Sequence, residues 1–327
     1  MATATWPRAS DAAKEAGRAP AVLYIGGSGR SGSTLLDRML GQTPGLCSTG
    51  ELVRLWDLGL RDNQLCGCGS PFRTCPFWTA VGQRAFGGWG SLDLPAVLRL
   101  HSRVRRHRYL PLAVTKAGPG LRREVEQFTD LLVPLYRAVA AASHSPVIVD
   151  SSKEPAYGWL LGQALGANVR MVHLVRDSRG VAFSWTKRVT MPDQANRELP
   201  RYRPAHMALR WVLFNLIFEA VRAGSPRQLF VRYEDLVDHP HRELARILGL
   251  VSDIALPAGP TPPAPNHTVA GNPLRFREEP IALRRDEAWR TDLPRRHRFL
   301  VSALSAPSLA RYGYPIRPGG HGPGVGP

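Results

Sequence analysis

Lysine is nearly missing from this chain of 327 residues: Lys14, Lys116, Lys153 and Lys187 are the whole set. A formal charge of +17, from 43 Lys and Arg against 26 Asp and Glu, is therefore carried by arginine. Guanidinium groups stay charged and present a rigid fork to oxyanions. The imbalance points to a polyanionic ligand or acidic partner, with arginine scattered on solvated faces as the plain alternative. A nucleic-acid binder clusters its basic residues with interleaved aromatics. The densest run, Arg103-Val104-Arg105-Arg106-His107-Arg108, has only Tyr109 beside it. Stacking on nucleic acid needs such interleaving, so the run reads as a solvated helix face and no nucleic-acid partner is expected. Long apolar runs are missing too. Trp211 to Phe218 is too short to span a bilayer and is broken by Asn215. No apolar core of signal-peptide length opens the chain, so the expectation is a cytoplasmic protein without stable membrane insertion. No internal repeat recurs. Cysteine is scarce, with Cys47 apart and Cys66, Cys68 and Cys75 close together. Their C-x-C-x6-C spacing is not the paired C-x2-C of zinc modules, and no histidine lies nearby in sequence. One local disulfide, or free thiols, is the leading expectation; no metal ligand is named, and the redox or metal state of Cys66, Cys68 and Cys75 stays open.

What is present is organised around residues 21–40, AVLYIGGSGRSGSTLLDRML. Ala21 to Ile25 reads as a buried strand, and Leu35, Leu36, Met39 and Leu40 recur at helical spacing. Between them lies a Gly/Ser loop. A glycine turn opening a helix is an anion site, because unpaired amides and the positive end of the helix dipole meet there. Gly29 and Gly32 permit close backbone approach, and Ser31, Ser33 and Thr34 add hydroxyl donors. Three motifs overlap. Gly27-x-Gly29-x-x-Gly32 fits a dinucleotide fingerprint, with Glu51 near the position of a ribose-binding acid. Gly27-x4-Gly32-Ser33-Thr34 nearly fits the phosphate loop of triphosphatases, but Ser33 replaces the lysine that reaches the β/γ-phosphates. The loop's cation is Arg30, which suits a terminal anion held without obligatory magnesium.

Further strands follow at Pro146–Asp150, Arg170–Asp177 and Gln228–Leu236, alternating with helices. This predicts an α/β fold, a P-loop-like parallel sheet flanked by helices. Residues 1–20 are expected to be a disordered lead, 21–315 a single domain and 316–327 a flexible tail. Residues 55–145 are expected to hold a cysteine-containing loop and a helical insertion on the acceptor side. Ligands of such sheets bind beyond the carboxyl ends of the strands, which brings Arg30, Lys153, Arg176 and Tyr233 to one edge. Arg176, Ser184 and Arg188 follow one another at helical spacing and suggest a second oxyanion site. A nucleotide carrying both 5′- and 3′-phosphates needs two.

At this point the sequence resembles a family. Arg30-Ser31-Gly32-Ser33-Thr34-Leu35-Leu36 is similar to the 5′-phosphosulfate loop of PAPS-dependent sulfotransferases, and LVRDSRGVAFS to their 3′-phosphate element. STGEL with Glu51, SSKEP with Lys153, RYEDLVDHP with Tyr233 and ARYGYP resemble, in order, the tyrosylprotein and carbohydrate branch. The resemblance covers roughly residues 21–315, with a poorly matched middle. It implies transfer of a sulfonate from 3′-phosphoadenylyl sulfate to a hydroxyl, with no metal required. Glu51 would be the general base. Arg30 and Lys153 would bind the sulfonate and the bridging oxygen. Gly29, Ser31, Gly32, Ser33 and Thr34 would hold the 5′-phosphate; Arg176, Ser184 and Arg188 the 3′-phosphate; Tyr233 would contact the nucleotide. The late stretch from Asn266 to Arg277 offers Gly271, Asn272 and Arg275 as a closing loop. His173 stands as the alternative base. The expected partner is a small-molecule, phenolic or glycan acceptor, with a homodimer compatible. Two other readings stay open: a phosphotransferase of the nucleotide-loop type, and a non-catalytic arginine-rich protein that binds RNA or another polyanion.

Overall fold

The computed structural model describes residues 19–105, 119–191, 197–223, 225, 227–256, 266–276 and 283–316. Nearly all of the expected N-terminal lead and C-terminal tail, and the Arg106–Tyr109 part of the basic run, lie outside these residues.

The centre is β1 (Ala21–Gly26), buried at every position. Val22 and Tyr24 enter one apolar cluster, while Ala21, Leu23 and Ile25 enter another on the opposite face. A strand covered on both faces reads as an unbroken apolar run, which is why this one is visible in sequence. Five strands form one parallel sheet in the order β2-β3-β1-β4-β7, where β2 is Leu46–Ser48, β3 Val147–Lys153, β4 Val169–Val175 and β7 Gln228–Arg232. A two-residue antiparallel ribbon, β5 (Thr190–Met191) with β6 (Arg197–Glu198), stands apart. The expected α/β architecture, a parallel sheet flanked by helices in one domain, is the one observed.

On one face lie α1 (Ser33–Leu40), α8 (Tyr233–Asp238) and α9 (Pro240–Gly249), through Leu36, Leu40, Leu236 and Ile247. On the other lie α4 (Pro119–Ser143), α5 (Pro155–Leu165) and α7 (Pro204–Ala223). That second core continues through Trp56, Phe72 and Trp78 into α2 (Pro76–Phe86) and α3 (Leu94–Val104). Helix α3 begins where Asp93 accepts the Ala96 amide at 2.9 Å, and α2 begins with proline in its first turn. Arg105, just past α3, is not a solvated-face arginine: it clamps Glu154 through two bonds of 2.5 and 2.7 Å. This ties the insertion to the residue after Lys153. Helix α6 (Ser178–Ser184) follows β4; a short α10 (Trp289–Asp292) and a long α11 (Arg295–Arg311) close the chain. Tyr312 and Tyr314 pack with Val175 and Trp211.

Two sequence expectations need correction. The fourth expected strand, Gln228–Leu236, ends at Arg232, because Glu234 and Asp235 form an acidic first turn that favours a helix N-terminus from Tyr233 onward. The edge strand β2 was not expected, since three residues after a turn carry too little alternation to register.

Candidate functional site

The loop from Gly26 to Gly32 turns back against β4. Gly27 has φ 132°, and a Cβ there would stand 2.2 Å from the Leu174 carbonyl oxygen, so only glycine fits. Gly32 has φ 95° and initiates α1; its missing Cβ leaves room for the Tyr233 ring, whose Cδ2 would be 2.4 Å away. The Ser31 hydroxyl is buried in the loop without a partner among the described residues. Arg30 takes φ 70°, uncommon outside glycine, and its guanidinium lies 5.0 Å from the centre of the Trp185 ring. Burial pulls the Arg30 pKa below its usual value, opposed by the Glu51 carboxylate.

The second strand end is built by a bulge. Tyr24 pairs with Asp150 but Gly26 pairs with Lys153, so β3 carries one extra residue. Asp150 fixes this kink. It accepts the Ser152 amide at 2.8 Å, the Ser152 hydroxyl and the Tyr136 hydroxyl, and burial pushes its pKa up to about 6. The Ser152 hydroxyl in turn accepts the Val53 amide at 2.9 Å, which anchors the chain just after Glu51. Lys153, at φ 68°, then projects its ammonium onto the Glu51 carboxylate and the Ser151 carbonyl, the latter at 3.0 Å. Glu51 is held from its other side: its amide donates to the Val269 carbonyl at 2.8 Å, and the Val269 amide donates to Thr49 at 2.8 Å. After Val269, Ala270 (φ 52°) and Gly271 (φ 100°) curl back, and a Cβ on Gly271 would be 3.3 Å from Glu51 Oε1. Arg30, Lys153 and Ala270 are three of the five non-glycine residues with positive φ among the described residues, so unusual backbone concentrates here.

The third strand end supplies Arg176. Its guanidinium sits 4.6 Å from the Tyr233 ring centre, the same ring that packs on Gly32. Arg176 donates to the Arg30 carbonyl at 3.3 Å, which joins the two expected anion-binding elements directly. It also meets Asp286, through the backbone carbonyl at 3.0 Å and the carboxylate at 3.2 Å. Lys187 reaches that same carboxylate at 3.2 Å. Neither Lys187 nor Asp286 was singled out in the sequence, though the scarcity of lysine pointed at the former. Trp185 was also missed; its indole donates to the Gly29 carbonyl at 3.4 Å and links α6 to the loop.

Gly29, Arg30, Ser31, Gly32, Ser33, Thr34, Glu51, Lys153, Arg176, Tyr233 and Gly271 thus gather at the carboxyl edge of the sheet. Ser184 is half-buried at the last residue of α6, and Arg188 lies exposed beyond it. Asn272 caps the short turn Pro273–Phe276 by accepting the Leu274 amide at 3.0 Å. Arg275 is buried and bonds the Thr268 and Leu65 carbonyls at 2.7 and 2.8 Å, a strut between segments rather than an arm toward the loop. His173 is corrected outright. It lies inside β4, bonded to Asn215 at 2.9 Å and packed against Phe218, and burial lowers its pKa to about 4. It is a core histidine, fully buried in β4 beside Gly26 and held by Asn215.

Neither protein-family models nor curated proteins give a match. Solved structures do. The chain is similar to the sulfotransferase domain from the curacin biosynthetic pathway, 20% identical over 91% of this chain and 100% of that one, with a TM-score of 0.51. It also aligns with the sulfotransferase domain of the Synechococcus PCC 7002 olefin synthase, at 21% identity, 93% and 98% coverage and a TM-score of 0.48. A sulfotransferase from Mycobacterium avium aligns at 12% identity, with 94% and 80% coverage and a TM-score of 0.45. The curacin-pathway domain shares the fold. Among the described residues no helix is long and apolar enough to cross a membrane.

Proposed function

We propose that this protein is a sulfotransferase that moves the sulfonate of 3′-phosphoadenylyl sulfate to a hydroxyl of a small-molecule, phenolic or glycan acceptor. The observation that supports this most is the direct contact between two anion-binding elements, the Arg30 loop and the Arg176 strand end, bridged at 3.3 Å. A ligand with phosphates at both ends of one adenosine meets both at once. The unpartnered Ser31 hydroxyl and the first amides of α1 receive the 5′-phosphate. Arg176 and Lys187 receive the 3′-phosphate where Asp286 now lies, with Ser184 and Arg188 nearby in sequence.

In the reaction the acceptor oxygen attacks sulfur in line, the bond from sulfur to the phosphate oxygen breaks, and adenosine 3′,5′-bisphosphate leaves. Glu51 takes the acceptor proton. Arg30 and Lys153 face the charge that gathers on the leaving oxygen. The Lys153–Glu51 pair couples these roles: as the ammonium turns to the leaving oxygen, the carboxylate is freed to act as base. A phosphotransferase is disfavoured because the position after Gly32 is Ser33, so the loop has no lysine for the β/γ-phosphates.

Isothermal calorimetry tests the assignment. Adenosine 3′,5′-bisphosphate should bind at least about ten-fold, or about 1.4 kcal/mol, more tightly than ATP with magnesium. Equal or tighter binding of the triphosphate would overturn it. A panel of hydroxyl acceptors with labelled 3′-phosphoadenylyl sulfate then identifies the acceptor class.

A further inference from the structure

The cysteine loop does not stand alone. Cys66, Cys68 and Cys75 meet His267, brought in by the late segment that also carries Val269 and Gly271. The three Sγ atoms and His267 Nδ1 all lie within 4.8 Å of one another. Cys75 Sγ is 3.7 Å from both Cys66 Sγ and Cys68 Sγ, and His267 Nδ1 is 3.4 Å from Cys75 Sγ and 3.5 Å from Cys66 Sγ. A tetrahedral zinc with Zn–S about 2.3 Å and Zn–N about 2.0 Å has edges of about 3.8 Å for S···S and about 3.5 Å for S···N. A disulfide requires about 2.05 Å between sulfurs, and it would use two thiols and leave the third and the imidazole unexplained. The thiols are unpaired.

We propose that Cys66, Cys68, Cys75 and His267 form a zinc site. Four protein ligands fill a tetrahedron and leave no open position, so the ion is structural and binds with release of the thiol protons. The surroundings are shaped for this. Cys66 and Cys68 sit on a tight turn in which the Cys66 amide donates to Ser70 at 2.8 Å and Gly69 takes φ 85°. Cys75 immediately precedes α2. The His267 ring stacks on Phe77 with centroids 4.5 Å apart and planes 4° apart, and the His267 carbonyl accepts the Trp78 indole at 3.0 Å. The Gly67 amide donates to the Thr268 carbonyl at 3.0 Å, and a Cβ on Gly67 would stand 2.2 Å from Asn266 Oδ1. The ligand geometry is therefore set by packing. Cys68 is exposed and gives the ion access, whereas Cys66 and Cys75 are buried. Clamping His267 to the insertion also fixes the segment whose next residues, Val269 and Gly271, brace Glu51.

The test uses the full untagged chain expressed in zinc-replete medium. Elemental analysis should find about one zinc per chain, surviving dialysis and released by a mercurial thiol reagent. Cobalt exchanged into the site should show tetrahedral ligand-field bands with thiolate-to-cobalt charge transfer. Cys68→Ser and His267→Ala should each weaken zinc retention against a competing chelator by at least ten-fold, while Cys47→Ser leaves it unchanged. A wild-type chain free of zinc and without the cobalt spectrum would overturn the proposal. So would an intact mass two hydrogens light, or full zinc retention in both ligand variants.

Discussion

If Arg176 and Lys187 receive a 3′-phosphate as proposed, Asp286 holds the ground that phosphate would contest, so removing it should tighten binding. Its carboxylate lies 3.2 Å from Arg176 and 3.2 Å from Lys187, with its side chain 35% exposed. Burial alone would raise its pKa, yet the two cations outweigh that and hold it below the usual carboxylate range. A partly exposed ion pair contributes about 0.5–1 kcal/mol, so the two together oppose phosphate entry by about 1–2 kcal/mol. At about 1.4 kcal/mol per decade, Asp286→Ala should bind adenosine 3′,5′-bisphosphate about 5- to 30-fold more tightly. Adenosine 5′-monophosphate has nothing to place between Arg176 and Lys187, so its affinity should stay within about two-fold. Calorimetry of both ligands at low ionic strength reads the difference, and added salt should shrink it. Weaker bisphosphate binding, or equal tightening of both ligands, would refute the idea that this carboxylate stands in the phosphate position.

Glu51→Gln should keep bisphosphate affinity within about two-fold while lowering turnover by about 10²–10⁴, as expected for loss of a general base; steady-state kinetics with labelled donor checks this, and unchanged turnover would discard Glu51. Asp37 is buried in α1, and desolvation lifts its pKa to about 7, opposed by the Ser48 hydroxyl that donates to it. The folded chain thus retains a proton that the unfolded chain releases above about pH 4, so this group's stabilising effect is complete at low pH and fades as pH climbs through 7. Asp37→Asn removes that fading, worth at most roughly 4 kcal/mol, so the Tm of the variant minus that of wild type should rise from pH 5 to pH 8. A flat difference across that range in scanning calorimetry would contradict the assignment.

The strands that position the site were legible because burial on both faces leaves a largely apolar signature, unbroken in β1 and interrupted by Arg170 and His173 in β4. Glu51 and Lys153 were both named from sequence, but their pairing was not, since 102 residues separate them. The bulge after Asp150 is also silent in sequence: SSK carries neither glycine nor proline, and the kink is written by Tyr136 and Ser152 holding a buried carboxylate. Arg188 was placed by extending helical spacing past Ser184, where α6 in fact stops, so the periodicity no longer applies and Lys187 reaches Asp286 instead. His267 escaped because zinc-like geometry is a property of space; counting along the chain from Cys75 never reaches it.

The left-handed backbone at Arg30 and Lys153 has an evolutionary consequence. Each such residue costs about 1–3 kcal/mol relative to a relaxed one, and glycine would relieve it. Screening this chain for heat tolerance alone would therefore reward erasing the very guanidinium and ammonium proposed to face the reacting group. Robustness and chemistry pull in opposite directions at the same two α-carbons, and only selection that reads turnover can keep both.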